Sequence, residues 1–254
     1  MKKTLIKQYA KQALRKTVGE PYVGKRLKLR QLNKVMGALP LKPLRILDAG
    51  AEDATFVYWL ADRYPDAHVM AVDIDEAAVA SCLAARPARY ANRVDFQVSY
   101  FADVDPESFD LVTAFDVLEH IPDDEGAVRD LYRALRPGGT LLVHVPRDRW
   151  KTRSGVVHRF ADEDAWQINA GHVRMGYSPE RMGELLSGAG FTVLSVETWL
   201  GRWGTLAHEV YARLEKPTPL RALTIPVTDA CAWLDMRDGT PEGNTVYAHA
   251  VKPS

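Results

Sequence analysis

Two carboxylates, Asp48 and Asp73, stand 25 residues apart in the apolar runs Arg45-Ile-Leu-Asp-Ala-Gly50 and His68-Val-Met-Ala-Val-Asp73-Ile-Asp75. A helical pattern separates them. This is the layout of a nucleoside site: a glycine turn follows a first strand, and an acid after the second can accept both ribose hydroxyls. An adenosine-type cofactor is therefore expected. His120, His144, His158 and His172 fall near later strand ends or in the loop beyond them. An imidazole titrates near neutral pH and can take a proton from an acceptor. No two of these histidines show the i, i+4 helix spacing of a metal pair, so no metal is expected.

The elements that must position these groups alternate in type. Residues 3–18 and 25–38 read as helices, separated by Gly19-Glu-Pro-Tyr-Val-Gly24. Strand runs follow at 44–49, 68–73, 94–99, 109–116 and 140–145, with helical patterns at 54–63, 75–86 and 123–135 between them. Pro137-Gly-Gly139 reads as a breaker. After a helix at 178–189, with Ser178 as cap and proline next, come a strand at 191–199, helical stretches at about 204–214 and 219–236, and a strand at 245–251. Strands alternating with helices demand an α/β fold with a doubly wound, mostly parallel sheet. The last two strands are expected to close it as a seven-stranded sheet, by a hairpin with helices inserted. Residues 147–177 carry Arg, His, Trp and Gly without a period and read as a functional loop.

The chain of 254 residues is 46% apolar and formally neutral, enough for one large core. Its charge is uneven: residues 1–30 hold ten Lys or Arg against Glu20 alone. The basic start reads either as an arm for nucleic acid, a membrane or a phosphorylated partner, or as the solvated face of a helix, and the last reading is preferred. No apolar run reaches the length of a membrane span, and the start lacks the apolar core of a secretory signal. Cys82 and Cys231 form no CxxC pair, which suits a reducing, cytoplasmic setting. Trp150, Trp166, Trp199 and Trp203 cluster around the variable region, as an aromatic acceptor pocket or as packing.

Taken in order, Ile46-Leu-Asp-Ala-Gly50, Val72-Asp73-Ile-Asp75, Phe109-Asp-Leu-Val112, Leu118-Glu-His-Ile-Pro122 and Leu135-Arg-Pro-Gly-Gly139 resemble the class I S-adenosylmethionine-dependent methyltransferases, in particular the bacterial small-molecule group. The resemblance covers roughly residues 44–191. It implies a Rossmann-like methyltransferase domain at 41–254, with cap segments at about 147–177 and 200–240. Residues 1–40 would form an N-terminal helical lid. The implied cofactor is S-adenosyl-L-methionine, with S-adenosyl-L-homocysteine as product and an oxygen, nitrogen or carbon of a small-molecule biosynthetic intermediate as acceptor; nucleic acid is not expected, and the chain is expected to be monomeric or homodimeric.

The likeness assigns Gly50 and its neighbour Ala51 to the methionine part, and Asp73 with Ile74 to the ribose. Asp48 would orient the turn from beneath. Tyr100 and Phe101 would stack on adenine in place of the family's acid, with Asp103 a less well placed substitute. Asp116 and Val117 would lie by the methionine amino group. Tyr22 and Arg26 would close over the cofactor, Arg26 on its carboxylate. His120 and His172 are the candidate catalytic groups; His144 reads as a packed strand residue, and Arg174 as an anchor or anion contact. Two positions depart from the family pattern, which repeats glycine after Gly50: here Glu52 and Ala54 stand instead. Rival readings are an RNA or protein methyltransferase using the basic start, and a catalytically silent binding protein.

Overall fold

Apolar residues in adjacent positions along a strand point to opposite faces of a sheet, and here both faces are covered, as a parallel sheet requires. The computed structural model describes residues 20, 22–149, 171–213, 225–238 and 242–254. Its strands are β1 (Arg45–Ala49), β2 (His68–Asp73), β3 (Val94–Val98), β4 (Phe109–Phe115), β5 (Leu135–Pro146), β6 (Thr192–Trp199) and β7 (Thr245–Val251). They form one sheet in the order β3-β2-β1-β4-β5-β7-β6. The first five are parallel, and β7 lies antiparallel between β5 and β6.

The described helices are α1 (Val23–Ala38), α2 (Thr55–Arg63), α3 (Glu76–Ala84), α4 (Asp124–Ala134), α5 (Pro179–Gly188), α6 (Arg202–Arg213) and α7 (Ile225–Asp238). Leu47, Val112 and Val143 bury against Leu131 of α4 and Leu185 of α5. Their neighbours Ile46, Leu111 and Leu142 bury on the other face with Leu32 of α1 and Leu60 of α2. Caps set the helix starts: the Asp75 side chain accepts from the backbone of Ala77 and Ala78, Asp123 from Gly126, and Ser178 from Arg181.

The doubly wound sheet and its closing hairpin agree with the sequence. One strand differs. The Arg136-Pro-Gly-Gly139 stretch belongs to β5 instead of breaking before it. Leu135 pairs with Phe109, the register then shifts between Phe109 and Leu111, and Gly138 takes φ +77°. A bulge thus absorbs the turn residues. The helix expected at 3–18 lies outside the described residues, as does most of the loop at 147–177.

Asp48 shows how the sheet constrains the site. It faces the α1/α2 side, 2% exposed, and accepts from the Thr113 hydroxyl at 2.5 Å. Burial pushes its carboxyl up to about 7; the Thr113 bond and Lys25 only partly offset this. An acid raised in the folded state stays protonated while the unfolded chain ionises. Asp48 therefore costs no stability below pH 4 and subtracts progressively as pH rises from about 4 to about 7. Asp48→Asn, whose amide oxygen can still accept from Thr113, is expected to gain on the native protein by a few kcal/mol across that range. Urea unfolding of both proteins at pH 4.5 and 7.5 checks this; a difference that does not change with pH would rule it out.

Candidate active site

β1 has β2 on one side and β4 on the other, so the strand order reverses there and a crevice opens beyond the carboxyl ends. A cavity of about 970 Å³ fills that crevice. Gly50 after β1, Asp73 at the end of β2, Ser99 after β3 and Asp116 after β4 all line it.

The turn after β1 is tied to β2: the Gly50 and Ala51 amides both donate to the Val72 carbonyl. Gly50 has φ +93°, and a Cβ there would meet Val117 Cγ2 at 2.3 Å. Only glycine fits that approach. Glu52 and Ala54 keep positive φ values, 42° and 60°, although they are not glycines. The turn thus keeps a glycine-type backbone at some strain. Asp73 supports it: its two carboxylate oxygens accept from the Glu52 and Asp75 amides, each at 3.0 Å. Each oxygen has two lone pairs, so each keeps one for a further donor. Ile74 and Tyr100, 65% and 66% exposed, present apolar surface beside Asp73, and Phe101 follows along the wall.

Helix α1 lends the other wall. Tyr22, Lys25 and Lys28 recur every three residues and share one face, which lines the cavity. Lys25 Nζ lies 2.6 Å from Glu52 and 2.8 Å from Asp53. Burial opposes its charge, but Asp53 and Glu52 hold the ammonium above its ordinary value. Glu52 is thereby neutralised from within the fold. Lys28 Nζ pairs with Asp116.

Asp116 is the centre of the far wall. Its φ is +56°, and its amide donates to the His144 carbonyl at 2.7 Å. Its second oxygen meets His144 Nδ1 at 2.8 Å. Burial works against the charge, yet Lys28 and His144 outweigh it and hold the Asp116 carboxyl well below the usual range. Burial and the Lys28 charge push His144 down to about 4. An ionised Asp116 only accepts, so Nδ1 carries the imidazole proton and donates it.

Beyond Asp116, the turn Leu118–His120 and the segment 171–174 pack together. Val173 N donates to the Glu119 carbonyl at 2.9 Å, and Arg174 Nη1 donates to the carbonyls of Leu118 and Ile121 at 2.6 Å. These bonds bring His120 and His172 together, ring centroids 4.6 Å apart and edge to face. Both line the cavity, as does Glu119, which is 1% exposed. Burial first, then the nearby Asp116, pushes Glu119 up to about 8.

Sequence positions and structure agree unevenly. Tyr22, Gly50, Asp73, Ile74, Tyr100, Phe101, Asp116, Val117, His120 and His172 converge on the cavity. Arg26 does not. Its Nε donates to the Glu20 carbonyl, and its guanidinium reaches Asp229 of α7, as Arg30 also does. One position along a helix turns a side chain by about 100°, which removes Arg26 from the Lys25 face. Asp48 and Ala51 are buried behind the turn and do not line the cavity. Asp103 is exposed outside it. Arg174 is an anchor to backbone carbonyls. Trp199 stacks on Tyr247 at 4.2 Å and Trp203 bonds Asp238, so both pack. Trp150, His158 and Trp166 lie outside the described residues. Lys25, Lys28 and Glu119 were missed, and His144 lines the cavity besides packing.

A family model described as a methyltransferase domain matches residues 22–196, well over half the chain and every strand from β1 to β5. The chain belongs to the S-adenosylmethionine-dependent methyltransferase family. Among curated members, it is 29% identical over 140 residues to trans-aconitate 2-methyltransferase of Variovorax paradoxus, covering 54% of this chain and 52% of that one. It is 34% identical over 103 residues to a ubiquinone biosynthesis O-methyltransferase of Idiomarina loihiensis, covering 39% and 40%. The chain thus spans about half the length of the curated methyltransferases it matches. Two solved structures share the fold: the [4+2]-cyclase SpnF (TM-score 0.61, 22% identity, 89% of this chain and 81% of that one), and phosphoethanolamine N-methyltransferase 2 of Haemonchus contortus with S-adenosyl-L-methionine (TM-score 0.63, 19% identity, 96% and 60%).

The methyltransferase cofactor can be tested against the cavity. Asp73 retains acceptor sites for a vicinal diol. The backbone at Gly50 is a cradle that a Cβ would fill. Tyr100 offers an exposed ring for a base, and Asp116 and Lys25 offer opposite charges for an ammonium and a carboxylate. A volume near 970 Å³ is at the upper end of ligand sites. The residues fit.

Proposed function

We propose that the chain transfers a methyl group from S-adenosylmethionine to a small-molecule acceptor, with oxygen the favoured atom. The single observation that carries this is the shape of the cavity. A cofactor half at Gly50, Asp73 and Tyr100 continues through Asp116 into a second half walled by Glu119, His120 and His172. A cavity of about 970 Å³ with these groups on its walls has room for a cofactor together with a small acceptor.

When bound, the cofactor supplies an electrophilic methyl group on a sulfonium. The chain's own groups supply the rest. Asp73 holds the ribose diol, with Ile74 beside it; Tyr100 and Phe101 hold the base; Asp116 receives the ammonium group, and Val117 packs against the Gly50 turn. Lys25 takes the carboxylate role expected of Arg26. Tyr22 and α1 act as the lid that excludes water. His120 and His172 face the acceptor and can hold its proton. The O-methyltransferase among the relatives supports an oxygen acceptor, and the trans-aconitate methyltransferase supports a small one.

The described basic residues of α1 favour this reading over nucleic acid. Lys25, Lys28, Arg26 and Arg30 turn to acids of the same chain, which leaves the exposed Lys34, bonded to the Met236 carbonyl, apart from them. No described helix is long and apolar enough to cross a membrane, and Cys82 and Cys231 are not joined in a disulfide.

The test is formation of S-adenosylhomocysteine, followed by mass spectrometry, on a panel of hydroxycarboxylates and phenols. A mass gain of one methylene on one of these acceptors is expected. Failure of S-adenosylmethionine to bind in titration calorimetry would overturn the reading. So would methylation of RNA or protein while every small acceptor stays inert.

A further inference from the structure

We infer that Glu119, His120 and His172 form a binding site for a first-row divalent cation, of the zinc type, in the acceptor half of the cavity. One carboxylate oxygen of Glu119 and one ring nitrogen from each histidine all lie within 4.8 Å of one another. Two imidazoles and a carboxylate, with the cavity open on the remaining side, are the donor set of open zinc and related transition-metal sites.

Two independent features point to a ligand. The first is Glu119 itself. It is 1% exposed, it lines the cavity, and its Oε2 has no hydrogen-bond partner among the described residues. A buried carboxylate oxygen without a donor is costly, and a cation bound to it removes that cost. The second is the orientation of His120. Its Nδ1 lies 3.1 Å from the Gly171 carbonyl, which can only accept. The proton therefore sits on Nδ1 and the lone pair on Nε2. A backbone carbonyl behind the non-ligating nitrogen is the usual support of a metal-bound histidine.

The cluster is also held in place before any ion arrives. Val173 N is bonded to the Glu119 carbonyl, and Arg174 clamps the carbonyls of Leu118, Ile121 and Pro122. Segment 171–174 thus rides on the turn that carries the other two ligands. The sequence concealed this because the ligands lie on two loops some fifty residues apart, not on one helix face.

The site stands on these contacts alone. Its consequence rests on the function proposed above: a cation here would take up the histidine lone pairs that otherwise hold the acceptor's proton, bind the acceptor through oxygen, lower the proton affinity of that oxygen, and select acceptors with two adjacent oxygen ligands.

The test is calorimetric titration of the chelator-stripped full chain with zinc chloride, without cofactor, and with magnesium chloride as control. One equivalent of zinc is expected to bind and magnesium to fail, since imidazole ligands disfavour magnesium. His120→Ala and His172→Ala are each expected to weaken zinc by at least about tenfold. His120 is exposed, so its variant is expected to fold, which circular dichroism verifies. Cobalt(II) provides a second readout through visible bands that zinc abolishes in the native protein. Absence of zinc binding would overturn the site, and so would equal zinc affinity in the native protein and both variants. The reaction assay is separate: zinc binding without cofactor binding would sink the methyl-transfer reading and leave the site.

Discussion

Asp73→Ala is expected to reduce S-adenosylhomocysteine affinity about 100-fold or more, as titration calorimetry would measure it. The magnitude follows from two charge-assisted hydrogen bonds to one diol, each worth about 1.5–3 kcal/mol. The carboxylate has a second task, because it accepts from the Glu52 and Asp75 amides. Some of the loss will therefore come from the turn after β1 and not from the ribose. Asp73→Asn bears on both: its single amide oxygen can serve one of the two backbone amides, its NH2 then faces the other, and it cannot accept from both hydroxyls. Binding is expected to fall together with the melting temperature of the free protein, and the fall in melting temperature measures the share owed to the turn. If Asp73→Ala binds as tightly as the native chain, the nucleoside is held elsewhere and the assignment of the cofactor half fails.

Gly50→Ala is expected to cost both stability and binding. The new Cβ would lie 2.3 Å from Val117 Cγ2 on a backbone with φ +93°. A left-handed alanine costs about 1–2 kcal/mol, and overpacking adds about 1–3 kcal/mol. Val117 is β-branched and has little freedom to rotate away. The turn must shift, and with it the amides that donate to Val72. Combining the change with Val117→Ala removes the overlap but not the backbone strain. The double variant should recover part of the denaturant midpoint and only part of the cofactor affinity. Unchanged stability in Gly50→Ala alone would show that the turn is looser than its contacts imply.

Much of this molecule is legible in its residues, and the legible parts share a cause. β7 was read at 245–251 because its alternation is local, and Asp75 and Ser178 were read as caps because a cap needs only its own helix. Gly50, Asp73 and Asp116 were legible because a strand end beside the switch point is a position the fold dictates. The fork of Arg26 suits a carboxylate, whereas helical phase gives the cavity to Lys25 and Lys28. His144 was read as packing because its bond to Asp116 depends on the β4–β5 register, Phe115 opposite His144, which no single strand reveals. Glu119 sits between Leu118 and His120 with nothing in the sequence to say that it, and not His120, is buried.

The place of β7 in the sheet has a bearing on how the protein is made. It is the last of the seven strands in the sequence, yet it occupies the slot between β5 and β6. While the chain grows from its amino end, β2 to β5 can each pair as soon as they emerge, because each finds an earlier neighbour already present. β6 has nothing to pair with until β7 arrives, and β5 keeps an open, apolar edge through the same interval. Such edges are templates for pairing between chains. Aggregation during synthesis should therefore concentrate in the window between β6 and β7, and a chaperone that shields the β5 edge should help this protein most at that stage.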